Sequence, residues 1–294
     1  MQSGLVAKSL EAAHWGLRVE LTIIKTSGDQ IADRPLHELG GKGLFTRELE
    51  QALLDGRIDL AVHSFKDVPV TMPLVEQANL LIAAVPVRED PRDALACRRA
   101  RSIADLPRGA RVGTGSLRRR AQLLDLRPDL AIELIRGNVD TRLRKLRDGQ
   151  FDAVILAMAG LRRSGLLDEA DTTPIGADQM LPAAGQGALA IQCRRDDEPT
   201  RQFLEVLNDG DTARCVEMER GVVAALSGDC HSPIAAMATV EGDEVKLRAA
   251  VGRRDGQPPV VRAGARAPRS GAAGLVADVV NQLIEQGAER LLLG

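Results

Sequence analysis

The sequence predicts an α/β protein of two doubly wound lobes followed by a small α+β C-terminal domain, and three features carry that reading. Between Leu80 and Cys193 short apolar runs alternate with amphipathic stretches of helical period, the pattern of sheets flanked by helices. From Asp211 onward the pattern changes to one long helical stretch, a hairpin signal and a closing helix. The 294 residues, 44% of them hydrophobic, suffice for two or three cores. The expected divisions are residues 1–85 with 188–207 as the first lobe, 86–187 as the second and 208–294 as the C-terminal domain. In this reading the chain returns to the first lobe after the second, giving two hinged lobes around a cleft.

Residues 4–14 read as a helix and Leu17 to Ile24 as a strand, with Thr26-Ser27-Gly28-Asp29 as a polar loop. Gly40-Gly41-Lys42-Gly43 precedes a helix whose apolar face is Leu44, Phe45, Leu49, Ala52 and Leu53, spaced by three and four. It is not a Walker loop, which requires Ser or Thr after the lysine where this chain has Gly43. Ile58 to Val62 is a short buried strand, and His63 to Pro69 is the loop at its C-terminal end. Ligands of open α/β sheets bind outside such carboxyl ends, which makes Lys66 and Asp67 candidates for chemistry. A lone His beside a strand is more often a packed core residue, so His63 is read as structural.

Leu80 to Val85 is another strand, and Pro86, Pro91 and the charged run between them mark the crossing into the second lobe. There the reading is strand Ala94 to Cys97, strand Arg111 to Val112, helix Leu117 to Leu126, strand Leu130 to Ile135, helix Val139 to Asp148 and strand Phe151 to Leu156, which implies a parallel sheet covered on both faces. Leu161-Arg162-Arg163 sits on a short helix, Ala188 to Cys193 is a strand, and Thr200 to Leu207 a helix.

Two turns of this lobe stand out. Gly113-Thr114-Gly115-Ser116-Leu117-Arg118-Arg119-Arg120 and Arg136-Gly137-Asn138-Val139-Asp140-Thr141-Arg142 each pass through small residues into an arginine-bearing helix. A helix start offers unpaired backbone N–H groups and a positive dipole end, and Arg118, Arg119, Arg136 and Arg142 add planar forks suited to carboxylate or phosphate. The ordinary alternative is solvated arginines on two amphipathic helices.

A helix from Thr212 to Leu226 then ends in the turn-rich Ser227 to Pro233, which carries Cys230. Strands Ile234 to Val240 and Val245 to Val251 flank the turn Glu241-Gly242-Asp243-Glu244, and Pro259 to Ala263 is a third candidate strand. The Ala/Gly/Arg/Pro-rich segment Arg262 to Gly274 reads as an exposed loop, followed by a helix from Ala273 to Glu285 and a short terminal strand.

Net charge is −2 and aromatics are 2%, which argue against nucleic acid as a partner, since neither an overall basic field nor stacking platforms are present. Cys97, Cys193, Cys215 and Cys230 show no C-x-x-C pairing, and His14, His37, His63 and His231 no metal-ligand spacing, so no metal is expected. With neither a secretory signal nor a bilayer-length apolar run, the expected location is cytoplasmic, without a membrane partner.

Seven stretches, in order along the chain, carry a resemblance: Gly40 to Phe45, Ala61 to Pro69, Arg88 to Ala94, Gly113 to Arg119, Arg136 to Arg142, Leu181 to Ala188, and Gly228-Asp229-Cys230. In these the sequence resembles the porphobilinogen deaminase, or hydroxymethylbilane synthase, family. The resemblance implies a transferase of tetrapyrrole (haem) biosynthesis that joins four porphobilinogen molecules head to tail with loss of ammonia. It implies a dipyrromethane cofactor, attached as a thioether to the cysteine matching Cys230, and a monomeric enzyme. Asp67 matches the family's catalytic aspartate. Cofactor contacts fall on Ser3, Lys66, Thr114, Ser116, Arg118, Arg119 and Arg136, and substrate contacts on Lys42, Arg142 and Arg163.

Three departures accompany it. The family usually begins with a strand ending in Arg-x-Ser, whereas this sequence starts at Met1-Gln2-Ser3; Glu38 stands where some members carry a basic residue; and Gly115 replaces a frequent serine. An inactive, N-terminally truncated form of the enzyme is therefore one alternative. The lobes also resemble type II periplasmic binding proteins, which leaves a non-enzymatic two-lobed anion-binding module as another.

Overall fold

The structure is a computed structural model that describes residues 1–24, 46–70, 79–229 and 232–293. They form two compact units, Met1–Arg88 with Ala188–Arg214, and Glu89–Gly187 with Cys215–Gly294. The first unit opens with α1 (Gln2–Ala13), α2 (Arg47–Leu54), β1 (Leu60–Ser64) and β2 (Leu80–Ala84). The second contains β3 (Asp93–Ala96), β4 (Arg111–Gly113), α3 (Leu117–Leu126), β5 (Ala131–Glu133), α4 (Val139–Arg147), β6 (Ala153–Ala157), α5 (Met158–Ser164) and β7 (Thr172–Pro174). The chain returns to the first unit as β8 (Leu189–Arg194) and α6 (Glu198–Glu205). It closes with α7 (Gly210–Ala225), β9 (Ile234–Glu241), β10 (Glu244–Val251), β11 (Val261–Pro268), α8 (Leu275–Glu285) and α9 (Ala288–Leu293).

In the first unit β8 lies between β1 and β2 and is antiparallel to both. Its apolar residues Leu189, Ile191 and Cys193 pack with Val6 and Leu10 of α1 and Leu204 of α6. Among the described residues Leu17 to Ile24 carries no strand, contrary to expectation; the Val19 N–H donates to Glu11 Oε1 at 2.9 Å, and Leu21 and Ile23 are exposed. Alternating apolar residues indicate strand propensity, but a strand also requires a neighbouring edge for its ladder, which the pattern cannot report.

The second unit's main sheet has the order β5-β4-β6-β3-β7. β4 runs parallel to β5 and β6, while β3 is antiparallel to β6 and β7, so the sheet is mixed rather than purely parallel. It is covered on both faces. Leu95, Ala153 and Ile155 point into one core with Val112 and Leu123, and Ala94, Ala96, Val154 and Leu156 into the other with Ile135 and Leu161. Because side chains alternate across a strand, both phases of β3 and β6 had to be apolar, as they are apart from Asp93 at the head of β3.

Within the same unit, β9, β10 and β11 form an antiparallel sheet, as an α+β C-terminal portion requires. The presumed loop at Arg262 is in fact strand β11, paired with β10 from Val251↔Val261 to Glu244↔Pro268. Its poor strand composition hides a period-2 pattern, with Val261, Ala263, Ala265 and Ala267 half-buried and Arg262 and Arg266 exposed. The C-terminal Ala288–Leu293 is helix, not strand.

Candidate active site

In the first unit, β1 delivers the chain into a single 3-10 turn, Phe65–Asp67. Phe65 is buried and its N–H donates to Ala188 O at 3.1 Å; Val68 is buried and its N–H closes the turn on Phe65 O. Two apolar anchors on either side leave Asp67 exposed at the strand's end, with Lys66 half-buried beside it. Behind the turn, His63 Nε2–H donates to Gln192 Oε1 at 3.0 Å, and Gln192 Nε2 donates to the buried Glu50 at 3.1 Å. Burial holds the His63 pKa below its usual value. His63 is thus a packed residue, as read. Gln2 Nε2 donates to Ser64 Oγ at 2.7 Å, bringing the first turn of α1, where Ser3 is exposed, to the same end of β1.

The second unit holds the arginines, and they are not equivalent. Ser116 caps α3, accepting from Arg119 N–H at 3.4 Å, while Thr114 is buried, its N–H donating to Glu133 O and its Oγ1 accepting from Ser116 N–H. Arg118 and Arg119 are 4% and 6% exposed, so they are not solvated surface cations. Both converge on Asp93, which is fully buried: Arg118 Nη1 lies 2.7 Å from Oδ2, and Arg119 Nη2 2.7 Å from Oδ1. Burial alone would raise the Asp93 pKa, yet the two guanidinium charges and their hydrogen bonds hold it well below the carboxylate range.

The second turn builds a different arrangement. Gly137 has φ +111°, and a Cβ there would come within 2.6 Å of Thr141, so only glycine fits between Arg136 and the helix. Asn138 then caps α4, accepting from Thr141 N–H at 2.9 Å. Arg142 is half-buried on that helix, with Nε donating to Gly137 O at 2.7 Å. Burial, followed by the positive fields of Arg119 and Arg136, lowers the Arg142 pKa to about 10. Arg119 and Arg136 therefore both lie close enough to Arg142 to repel it, and among the described residues no carboxylate pairs with Arg136 or Arg142. Arg163 on α5 is half-buried, with Nη2 donating to Gly187 O at 2.7 Å. Lys42 and Cys230 lie outside the described residues.

Sequence reasoning missed Asp93 and Gln186, whose Nε2 donates to Asp93 Oδ1 at 2.9 Å and to Pro91 O at 2.7 Å. The signal was an acid heading the otherwise apolar run Asp93-Ala94-Leu95-Ala96, since a carboxylate on a central strand must be paired. The three described cysteines, Cys97, Cys193 and Cys215, are all buried.

Residues 1–202 match the family model described as porphobilinogen deaminase, dipyromethane cofactor binding domain, and residues 213–285 match the porphobilinogen deaminase C-terminal domain. A porphobilinogen deaminase of Roseiflexus sp. (strain RS-1) is 47% identical over 294 residues, spanning 100% of this chain and 95% of that protein. One from Sorangium cellulosum (strain So ce56) is 52% identical over 255 residues, spanning 87% and 83%. A periplasmic substrate-binding protein of an ABC transporter from Coxiella burnetii overlays at 14% identity with a TM-score of 0.44, covering 72% of this chain and 89% of that one, too loose an overlay to argue from. The chain belongs to the porphobilinogen deaminase family.

Proposed function

We propose that this protein is a hydroxymethylbilane synthase, condensing four porphobilinogen molecules head to tail with release of one ammonia each. The observation that carries this reading is the cluster in which Arg119 and Arg136 both press positive fields on the half-buried Arg142, while among the described residues only Arg119 of the three has a carboxylate partner, Asp93. Like charges held together in a half-buried setting are unfavourable alone and favourable around a polyanion. Porphobilinogen brings an acetate and a propionate, so each addition brings two negative charges. The same surplus fits a dipyrromethane, whose acidic side arms the guanidinium forks would bind.

When bound, the dipyrromethane supplies the nucleophilic pyrrole carbon to which the first substrate is joined. Cys230 would hold it through a thioether, with Ser3, Lys66, Thr114, Ser116, Arg118, Arg119 and Arg136 fixing its carboxylates, while Lys42, Arg142 and Arg163 would receive the substrate's. Loss of ammonia from the substrate's aminomethyl carbon leaves a cation delocalised over the pyrrole. Asp67 would stabilise that charge through the pyrrole N–H and assist the proton transfers that end in ammonia leaving and one C–C bond forming. The division into residues 1–85 with 188–207, 86–187 and 208–294 belongs to the same reading, and the gap between the two matching family models at 203–212 supports its boundary near 208. The enzyme would act as a cytoplasmic monomer.

Asp67→Ala tests the assignment. Ammonia release should fall by about 10²- to 10⁴-fold while the protein keeps the mass of its tethered cofactor. Undiminished release would remove Asp67 from the mechanism.

A further inference from the structure

We infer that Asp93 is the positioning residue of the anion site, one buried carboxylate that fixes the guanidiniums of Arg118 and Arg119 for a ligand carboxylate; this rests on the functional reading above. Asp93 Oδ2 accepts from Arg118 Nη1 at 2.7 Å. Its Oδ1 accepts from Arg119 Nε at 3.0 Å and Nη2 at 2.7 Å, from Gln186 Nε2 at 2.9 Å and, at longer range, from Arg118 Nη2 at 3.3 Å. The remaining acceptors on these arginines are neutral: Leu181 O takes Arg118 Nη1 at 2.6 Å and Ile155 O takes Arg119 Nη1 at 2.9 Å.

Two points separate this from an ordinary core ion pair. The first is geometric. Adjacent residues on a helix project about 100° apart and do not face one another, so α3 by itself cannot bring the two heads together. Asp93 on β3 does so, braced by Gln186 from the loop after Leu181, whose carbonyl also accepts from Gln122 at 3.0 Å. The second is charge. One carboxylate against two guanidiniums leaves one positive charge, since among the described residues Arg118 and Arg119 form ion pairs with Asp93 alone, and buried ions are stable when balanced. The surplus calls for an anion supplied from outside the chain. Arg119 would present it, because its field reaches Arg142, while Arg118 would serve as the inner brace.

The test compares the holoenzyme with Asp93→Asn and with the charge-balanced pair Arg118→Met/Asp93→Asn. Three quantities are read: kcat and KM for porphobilinogen, the melting temperature, and solvent exchange of the Arg119 Nε–H in ¹⁵N spectra. Asp93→Asn should lower kcat/KM about 10- to 100-fold, as expected when binding groups lose orientation. It should also turn a slowly exchanging Arg119 Nε–H into a fast one. The paired variant should regain thermal stability but not the slow exchange of the Arg119 Nε–H, a readout that the loss of Arg118 as a ligand contact does not itself move. Recovery of wild-type kcat/KM in the paired variant would reduce Asp93 to a counter-ion and overturn the inference. So would unchanged exchange and kcat/KM in Asp93→Asn, or failure of both variants to fold. A wild-type protein that releases no ammonia would instead refute the functional reading, and Arg119 Nε–H exchange would still decide the role of Asp93.

Discussion

Glu219→Gln probes how the loop that braces Asp93 is itself held. Glu219 on α7 is wholly buried, and its two oxygens serve different segments: Oε2 accepts from Gly185 N–H at 2.7 Å and Oε1 from Ala238 N–H at 2.8 Å. Glutamine keeps the shape but replaces one acceptor with an NH₂ donor, so one backbone N–H must face another donor. A hydrogen bond to a charged acceptor contributes about 1.5–3 kcal/mol, and an orphaned buried amide costs about 1–3 kcal/mol. Relief from burying a charge offsets part of this, leaving a net loss of about 3 kcal/mol. At about 2–4 °C per kcal/mol for a chain of this size, the melting temperature should fall by roughly 6–12 °C, measured by circular dichroism with urea midpoints as a check. A shift under about 2 °C would show that the two N–H···carboxylate contacts do not act as assigned.

Gly187→Ala should be more damaging than its size suggests. Its φ is +88°, and a Cβ would lie 2.3 Å from Glu89 O, a backbone atom that cannot swing aside. Strain and backbone displacement together should cost several kcal/mol, on the order of the larger single-site effects, read as a lowered urea midpoint or as loss of soluble protein. Arg142→Leu should do the opposite to stability. Removing a half-buried cation that Arg119 and Arg136 repel should leave the melting temperature unchanged or higher while porphobilinogen turnover falls, and a marked loss of stability would contradict that repulsion. The pH dependence of Asp93 has a definite sign. Its folded pKa lies below the unfolded value near 3.8, so its contribution is fully present above that value and is lost as the pH falls through the folded one. The gap in urea midpoints between the wild type and Asp93→Asn should hold constant from about pH 7 to 5 and narrow below about pH 4.

What the sequence made legible was largely local. The bounds of α3 were readable because Ser116 is a side-chain cap and an apolar stripe follows it, and the start of α4 because Asn138 caps it after an obligatory glycine. The apolar runs of β3 and β6 showed a sheet buried on both faces but not the direction of its strands, because pairing is a long-range property. For the same reason β11 was foreseen only at its start, in Pro259 to Ala263: its ladder with β10 overrides a composition that reads as loop beyond that. The arginine-rich turns were visible as charge, yet charge alone does not reveal its partner. Arg118 and Arg119 are buried on Asp93, whereas Arg136 and Arg142, of the same chemistry and nearby in sequence, pair with no acid among the described residues. The difference lies in where β3 sets its first side chain relative to α3, which only the folded chain determines.

The central claim is that the protein carries a covalently attached polyanion that its arginines were waiting to balance, and intact-mass measurement of the purified wild-type protein beside Cys230→Ser tests it most directly. An excess over the polypeptide mass equal to two linked pyrrole units, absent from Cys230→Ser, is the predicted result. A wild-type mass equal to the bare polypeptide, or an excess that survives the substitution, would contradict it.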